Sequence, residues 1–188
     1  MILPIVAYGD PVLTTKANEI TPDYPELNQL IADMWETMYS AEGVGLAAPQ
    51  IGKSIRLFIV DASPFAEDEP GLENMKKVFI NPLIIEKTGE DFIFNEGCLS
   101  FPGLREDIYR KPDIKIRYFD ENFKEQIEAF SGITSRIIQH EYDHIEGIVM
   151  INRISTLKKQ LIKGKLNNII KGNVKATYRM RFAAVKKK

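Results

Sequence analysis

The sequence predicts an α+β protein: a mainly antiparallel sheet packed around a central helix, with a further helix at the C-terminal end. Three observations carry this. Apolar residues recur at helical three- and four-residue steps near the front, in the middle and towards the end of the chain. Short β-rich runs cluster between the first two of these stretches. The 188 residues, 44% hydrophobic and 27% charged, suffice for a core of ordinary composition. One domain spanning residues 1–188 is expected.

The first helix covers residues 25–40, where Leu27, Leu30, Ile31, Met34, Trp35, Met38 and Tyr39 share a stripe and Gly43-Val44-Gly45 marks the stop. Residues 55–60 read as a largely buried strand. Residues 62–74 are acidic and carry Pro64, Pro70 and Gly71, which makes them a surface loop. Strands follow at 78–81, 83–87 and 91–94. Two more, 113–119 and 125–130, flank a hairpin turn at Asp120-Glu121-Asn122. Ser131-Gly132 opens the central helix, 133–146, and Gly147 closes it. A last helix from about residue 155 carries the stripe Leu157, Leu161, Ile162, Leu166, Ile169 and Ile170, weakened at Gly164.

Composition excludes fibrous and disordered classes. No apolar run approaches a membrane span, and the N-terminus lacks the pattern of a signal peptide. The single cysteine, Cys98, leaves no internal disulfide and fits a reducing cytosol. Charge is lopsided. Residues 1–146 hold 13 Lys/Arg and all 26 Asp/Glu, a net −13, whereas 147–188 hold 12 Lys/Arg and no acid. A tail this basic suits either a polyanionic partner or a solvated helix.

The only two histidines fall in His140-Glu141-Tyr142-Asp143-His144, an H-E-x-x-H on the central helix. Four residues is about one turn, so both imidazoles leave the same face and can share one ion, with Glu141 placed as general base towards a metal-bound water. They share the inward stripe of Ile133, Ile137 and Ile148, where a buried imidazole needs a partner. The zinc-protease continuation fails: Gly147 fits, but Met150 stands where a third histidine would, and no acid follows Glu146. The third ligand must come from upstream. Cys98, in Glu96-Gly97-Cys98-Leu99-Ser100, is the candidate, and a Cys/His/His set leaves one position open. A small buried hydrophobe, or a cysteine nucleophile served by a histidine, are the other readings of Cys98. Gly43-Val44-Gly45-Leu46-Ala47-Ala48-Pro49-Gln50 lets backbone approach a ligand, or is a helix cap with a tight turn.

Taken in order, residues 43–50, 96–100 and 139–144 resemble the motifs G-x-G-L-A-A-x-Q, E-G-C-L-S and Q-H-E-x-D-H of the peptide deformylases, and Tyr8-Gly9-Asp10-Pro11-Val12-Leu13 looks like that family's opening. The acidic loop 62–74 is not part of the family pattern and receives no role. The resemblance implies hydrolytic removal of the formyl group from N-terminal formylmethionine of newly made proteins, with release of formate. It implies one divalent metal on Cys98, His140 and His144, a ferrous ion by expectation, with zinc, nickel or cobalt as substitutes. It implies Glu141 as base, and the Leu99 N–H with the Gln50 side chain as oxyanion donors. Val44 and Gly45 would pair with the peptide as an added strand, while Phe94, Gly97, Arg105 and Ile137 would line the methionine site. It also implies a ribosome, through rRNA, as partner of the basic C-terminal helix. A monomer is the default expectation, and an N-terminus without a transit-like pattern favours a bacterial cytoplasm without membrane attachment. Two rival readings remain at this level: a zinc endopeptidase, and a structural metal site in a ribosome-associated factor.

Overall fold

The computed structural model describes residues 1–183. Its centre is a five-stranded antiparallel sheet in the order β2 (Gly45–Ala47), β3 (Leu57–Asp61), β4 (Lys76–Thr88), β7 (Asp113–Phe119), β8 (Glu125–Phe130). A separate hairpin pairs β5 (Phe92–Gly97) with β6 (Arg105–Arg110). The two chain ends form a small parallel ribbon, β1 (Ile5–Val6) with β9 (Met180–Arg181).

The sheet lies between two helices, α1 (Leu27–Ser40) and α2 (Gly132–Ile145). The pleat of β3 explains its uninterrupted apolar run. Phe58 and Val60 pack with Phe79, Ile116, Ile137 and Ile138 under α2. Leu57 and Ile59 turn the other way, to Met34 and Met38 of α1. A third apolar group joins the N-terminal segment to the chain's last elements: Leu13, Phe101, Ile108, Ile162, Leu166 and Ile169. The α+β architecture read from sequence is therefore the observed one.

Besides the strand Arg105–Arg110, which the sequence does not predict, three details differ from the sequence reading. Residues 78–81 and 83–87 belong to one strand, β4, which continues past Pro82 through register shifts against β7, with Asn81 in the left-handed region at φ 47°. The C-terminal helix from residue 155 is two short ones, α3 (Thr156–Leu161) and α4 (Lys163–Ile170), broken at Ile162. Only part of the expected stripe is inward. Ile162, Leu166 and Ile169 are buried, while Leu157 and Leu161 are 68% and 74% exposed. And α1 ends on Glu42 in the left-handed region rather than on a glycine.

The end of α2 is as expected. Gly147 takes φ 72°, its N–H donates to the His144 carbonyl, and the Ile148 N–H donates to the Asp143 carbonyl. A side chain there would meet the Thr14–Thr15 backbone at about 3 Å. The other end holds a surprise: Glu69, from the acidic loop, receives the Ile133 N–H at 3.4 Å and so caps α2. Among the described residues no helix is long and apolar enough to cross a membrane.

Candidate active site

Helix α2 presents His140, Glu141 and His144 to the end of β5, where the strand gives way to Cys98. The donor atoms of Cys98, His140 and His144 lie within 4.8 Å of one another, and Cys98 Sγ is 3.3 Å from His144 Nε2. His140 turns Nδ1 to the Glu96 carboxylate at 2.8 Å, which fixes its tautomer and leaves Nε2 for the cysteine side. Burial opposes ionisation of the Cys98 thiol, but the neighbouring imidazoles more than offset it and hold the thiol at about 5. Burial likewise opposes charge on His140, yet Cys98 and Glu96 hold its proton well above the usual imidazole range. A soft thiolate and two imidazoles form a donor set that a divalent cation can take up, and the set suits iron or zinc.

Glu141 is 4% exposed, and its Oε2 has no hydrogen-bond partner among the described residues. Burial pushes its carboxyl up to about 7, against the pull of His140 and His144. Such an orphaned oxygen beside a Cys/His/His cluster fits a site built to receive water. The close approach also explains Gly45: a methyl at that position would stand 2.5 Å from Glu141 Oε1, so glycine lets this carboxyl settle over the strand.

A dense ionic cluster supports the ligands. Glu96 accepts from Arg110 through Nε at 2.7 Å and Nη2 at 3.0 Å, and from Arg136 Nη1 at 3.0 Å. Arg110 also donates to Asp143 at 2.8 Å, and Asp143 receives both the Nε and Nη2 of Arg153. Burial would raise both carboxyls. Hydrogen bonds from His140 and Arg110 instead hold Glu96 well below the usual carboxylate range, and Arg153 and Arg110 lower Asp143. The hairpin β5–β6 is thereby riveted to α2. The sequence reading quoted Glu96 and Asp143 in motifs without giving them work, and it missed Arg110, Arg136 and Arg153. Glu96, two residues before Cys98 in a strand, sits on the same side as the thiol, which was the available signal.

A cavity of about 540 Å³ opens over this centre. Cys98, His140 and Glu141 border it, and His144 lies behind them, 1% exposed. The residues singled out from sequence converge here. Val44 and Gly45 border it at β2, the open edge of the sheet. The Val44 carbonyl is spent on the Asp61 N–H at 2.9 Å, and the next residue turns its backbone groups the other way. Gln50 is buried, with Oε1 on the Ala47 N–H at 2.8 Å and Nε2 3.7 Å from Cys98 Sγ. Phe94 and Ile137 form apolar walls. Arg105 is clasped by Asn95, donating from Nε at 2.9 Å, and stands so close to Gly97 that a side chain at 97 would collide with it. Leu99 borders the cavity with Tyr178, whose hydroxyl donates to the Leu99 carbonyl at 2.7 Å. No motif pointed to Tyr178, because it arrives from a segment far along the chain. Phe65, from the acidic loop, also reaches the cavity.

The comparisons agree with this geometry. The model of the family described as polypeptide deformylase matches residues 2–160, which leaves Tyr178 outside. The chain is 57% identical to a peptide deformylase of Christiangramia forsetii, covering 100% of this chain and 99% of that one. It is 40% identical to a peptide deformylase of Salinibacter ruber over 95% and 93% of the two chains. Among solved structures, an inhibitor complex of Arabidopsis thaliana peptide deformylase 1B superposes with a TM-score of 0.80 at 32% identity, over 94% and 98% of the chains. The peptide deformylase of Thermotoga maritima gives 0.73 at 39%, over 82% and 99%. With a cysteine and two histidines gathered beneath one cavity, and with relatives matching nearly end to end, the chain belongs to the polypeptide deformylase family.

Proposed function

We infer that this protein is a metal-dependent hydrolase that removes the formyl group from the N-terminal formylmethionine of newly made proteins and releases formate. The observation that supports it best is the Cys98, His140, His144 cluster with the unpartnered Glu141 oxygen beside it, under the open edge of β2.

In this reading Cys98, His140 and His144 hold the metal, ferrous iron by preference, with zinc, nickel or cobalt as substitutes. Once bound, the ion supplies Lewis-acid polarisation and makes water a stronger acid. The peptide adds to the edge of β2 through the backbone groups of Gly45, beside Val44, whose carbonyl already serves Asp61, and its methionine side chain rests between Phe94 and Ile137, with Gly97 and Arg105 at the rim. Glu141 takes the proton of the attacking water and hands it to the departing amine. The Leu99 N–H and the Gln50 amide receive the charge that develops on the formyl oxygen. The test is formate release from formyl-Met-Ala-Ser against the N-acetylated peptide. Activity on the formyl peptide alone is expected, abolished by a chelator and restored by ferrous ion without oxygen. Equal cleavage of an internal peptide bond would overturn the reading in favour of an endopeptidase.

The reading extends to a monomer working in a bacterial cytoplasm, with ribosomal RNA as the partner of the basic end. Lys158 and Lys159 on α3 and Lys163 and Lys165 on α4 are the cations that would meet it. Truncation after residue 155 is a poor test, because the tail beyond builds part of the site. Neutralising Lys159, Lys163 and Lys165 to glutamine, and sparing Lys158 because it pairs with the buried Glu106 at 3.2 Å, is expected to weaken ribosome binding and to flatten its salt dependence, with formate release unchanged. Equal sedimentation of variant and parent with ribosomes at low salt would refute the partner.

A further inference from the structure

We propose that Tyr178, carried on the C-terminal tail, is a positioning residue for the turn that bears the thiolate, acting through Leu99; this rests on the oxyanion role given to Leu99 above. Residues 98–101 form a tight turn, with the Phe101 N–H donating to the Cys98 carbonyl at 2.9 Å. That carbonyl and the Leu99 N–H belong to one trans peptide plane, so the bond aims the N–H away from the turn. The next plane is held from outside. Its Leu99 carbonyl accepts the Tyr178 hydroxyl at 2.7 Å, from a residue 79 positions away. The plane after that is held as well, its Ser100 carbonyl accepting the Tyr8 N–H at 2.9 Å. Three consecutive carbonyls are thus restrained by the turn, by the tail and by the N-terminal segment.

The two outside restraints are themselves tied together. The Ile5 N–H donates to the Arg179 carbonyl and the Ala7 N–H to the Arg181 carbonyl, each at 2.9 Å, which makes the β1–β9 ribbon. Arg181 also approaches Asp10, at 3.5 Å, and the Tyr8 ring stacks on Phe101 with centroids 4.8 Å apart. Tyr178 precedes β9 by two residues, so docking of the ribbon delivers its hydroxyl to the turn. A donor that must meet charge only in the transition state is sensitive to small tilts, and a free Leu99–Ser100 plane tilts its neighbour. Tyr178 therefore tunes turnover rather than binding.

The experiment is the Tyr178→Phe exchange in the metal-loaded full chain, which keeps the ring and the cavity wall. One neutral hydrogen bond is worth roughly a 5- to 10-fold change, so kcat is expected to fall by about that factor. KM should stay within about twofold and metal content should match the parent. Tyr178→Ala, which also opens the cavity wall, is expected to raise KM in addition. Parental kcat in the phenylalanine variant, a loss confined to KM, or a loss that tracks missing metal would each overturn the proposal. A parent that releases no formate would instead overturn the proposed function, so the two failures are told apart.

Discussion

Exchange of Glu141 for glutamine is expected to cut formate release by about 10²- to 10⁴-fold while leaving the metal in place. Glutamine has nearly the same shape, so it still fits over Gly45, where the carboxylate now leaves no room for a methyl group. What it loses is the ability to accept a proton. Glu141 stands beside the Cys98, His140, His144 cluster rather than within it, and one of its oxygens is buried without a partner. A purely structural carboxylate would not be left so, since an unmet buried acceptor costs stability. Metal analysis alongside single-turnover kinetics checks the prediction. Metal loss on substitution would make Glu141 a ligand and would favour the closed, structural kind of site. Unimpaired turnover would remove the base altogether.

The second large effect is expected at Glu96. Its carboxylate is 4% exposed and takes hydrogen bonds from Arg110, Arg136 and His140. Glu96→Gln removes the negative charge and leaves the buried Arg136 without its carboxylate and Arg110 with Asp143 alone, a loss of about 3–5 kcal/mol. For a protein of this size that corresponds to a Tm lower by about 6–20 °C. The same substitution weakens the hold on the His140 ring, so metal affinity should fall by about 10- to 100-fold. A thermal scan and a titration against a competing chelator measure the two losses. The ion pair of Lys77 with Glu128 is the natural control. Both side chains are about one-third exposed, and breaking it should cost no more than about 1 kcal/mol. A Glu96 variant that melts and binds metal like the parent would show that the cluster is decorative.

These effects mark where sequence reading works and where it stops. The central helix was legible because the two histidines fall on its apolar face and because Gly147 supplies its end. The strand Leu57–Asp61 was legible because both of its faces are buried. The strand Arg105–Arg110 was not read at all. Its inward positions are Glu106, Ile108 and Arg110, two of them charged, and their partners Lys158 and Glu96 lie far away in sequence. A hydrophobic alternation test has nothing to find there. The same holds for the ionic cluster: each member is an ordinary charged residue until the fold brings it to the others. Pro82 read as a break because proline lacks an N–H, yet the strand absorbs it in an irregular step. The final helix read as continuous because its stripe keeps period across Ile162, where the backbone turns. The acidic loop looked featureless, and what gives it work is contact with α2 and the cavity, through Glu69 and Phe65.

The ribbon of Ile5–Val6 with Met180–Arg181 also sets a timetable for the molecule's own manufacture. Synthesis runs from one end to the other, so the first strand waits, unpaired, through nearly the whole of translation for its mate. Pairing across such a span is entropically slow and comes late. A copy grown past residue 145 has the residues of its central helix and sheet before the reaction centre is braced. The catalyst is expected to ripen only after Met180–Arg181 has been made and has docked, and an assay that follows activity during cell-free synthesis would show a lag behind the accumulation of full-length product.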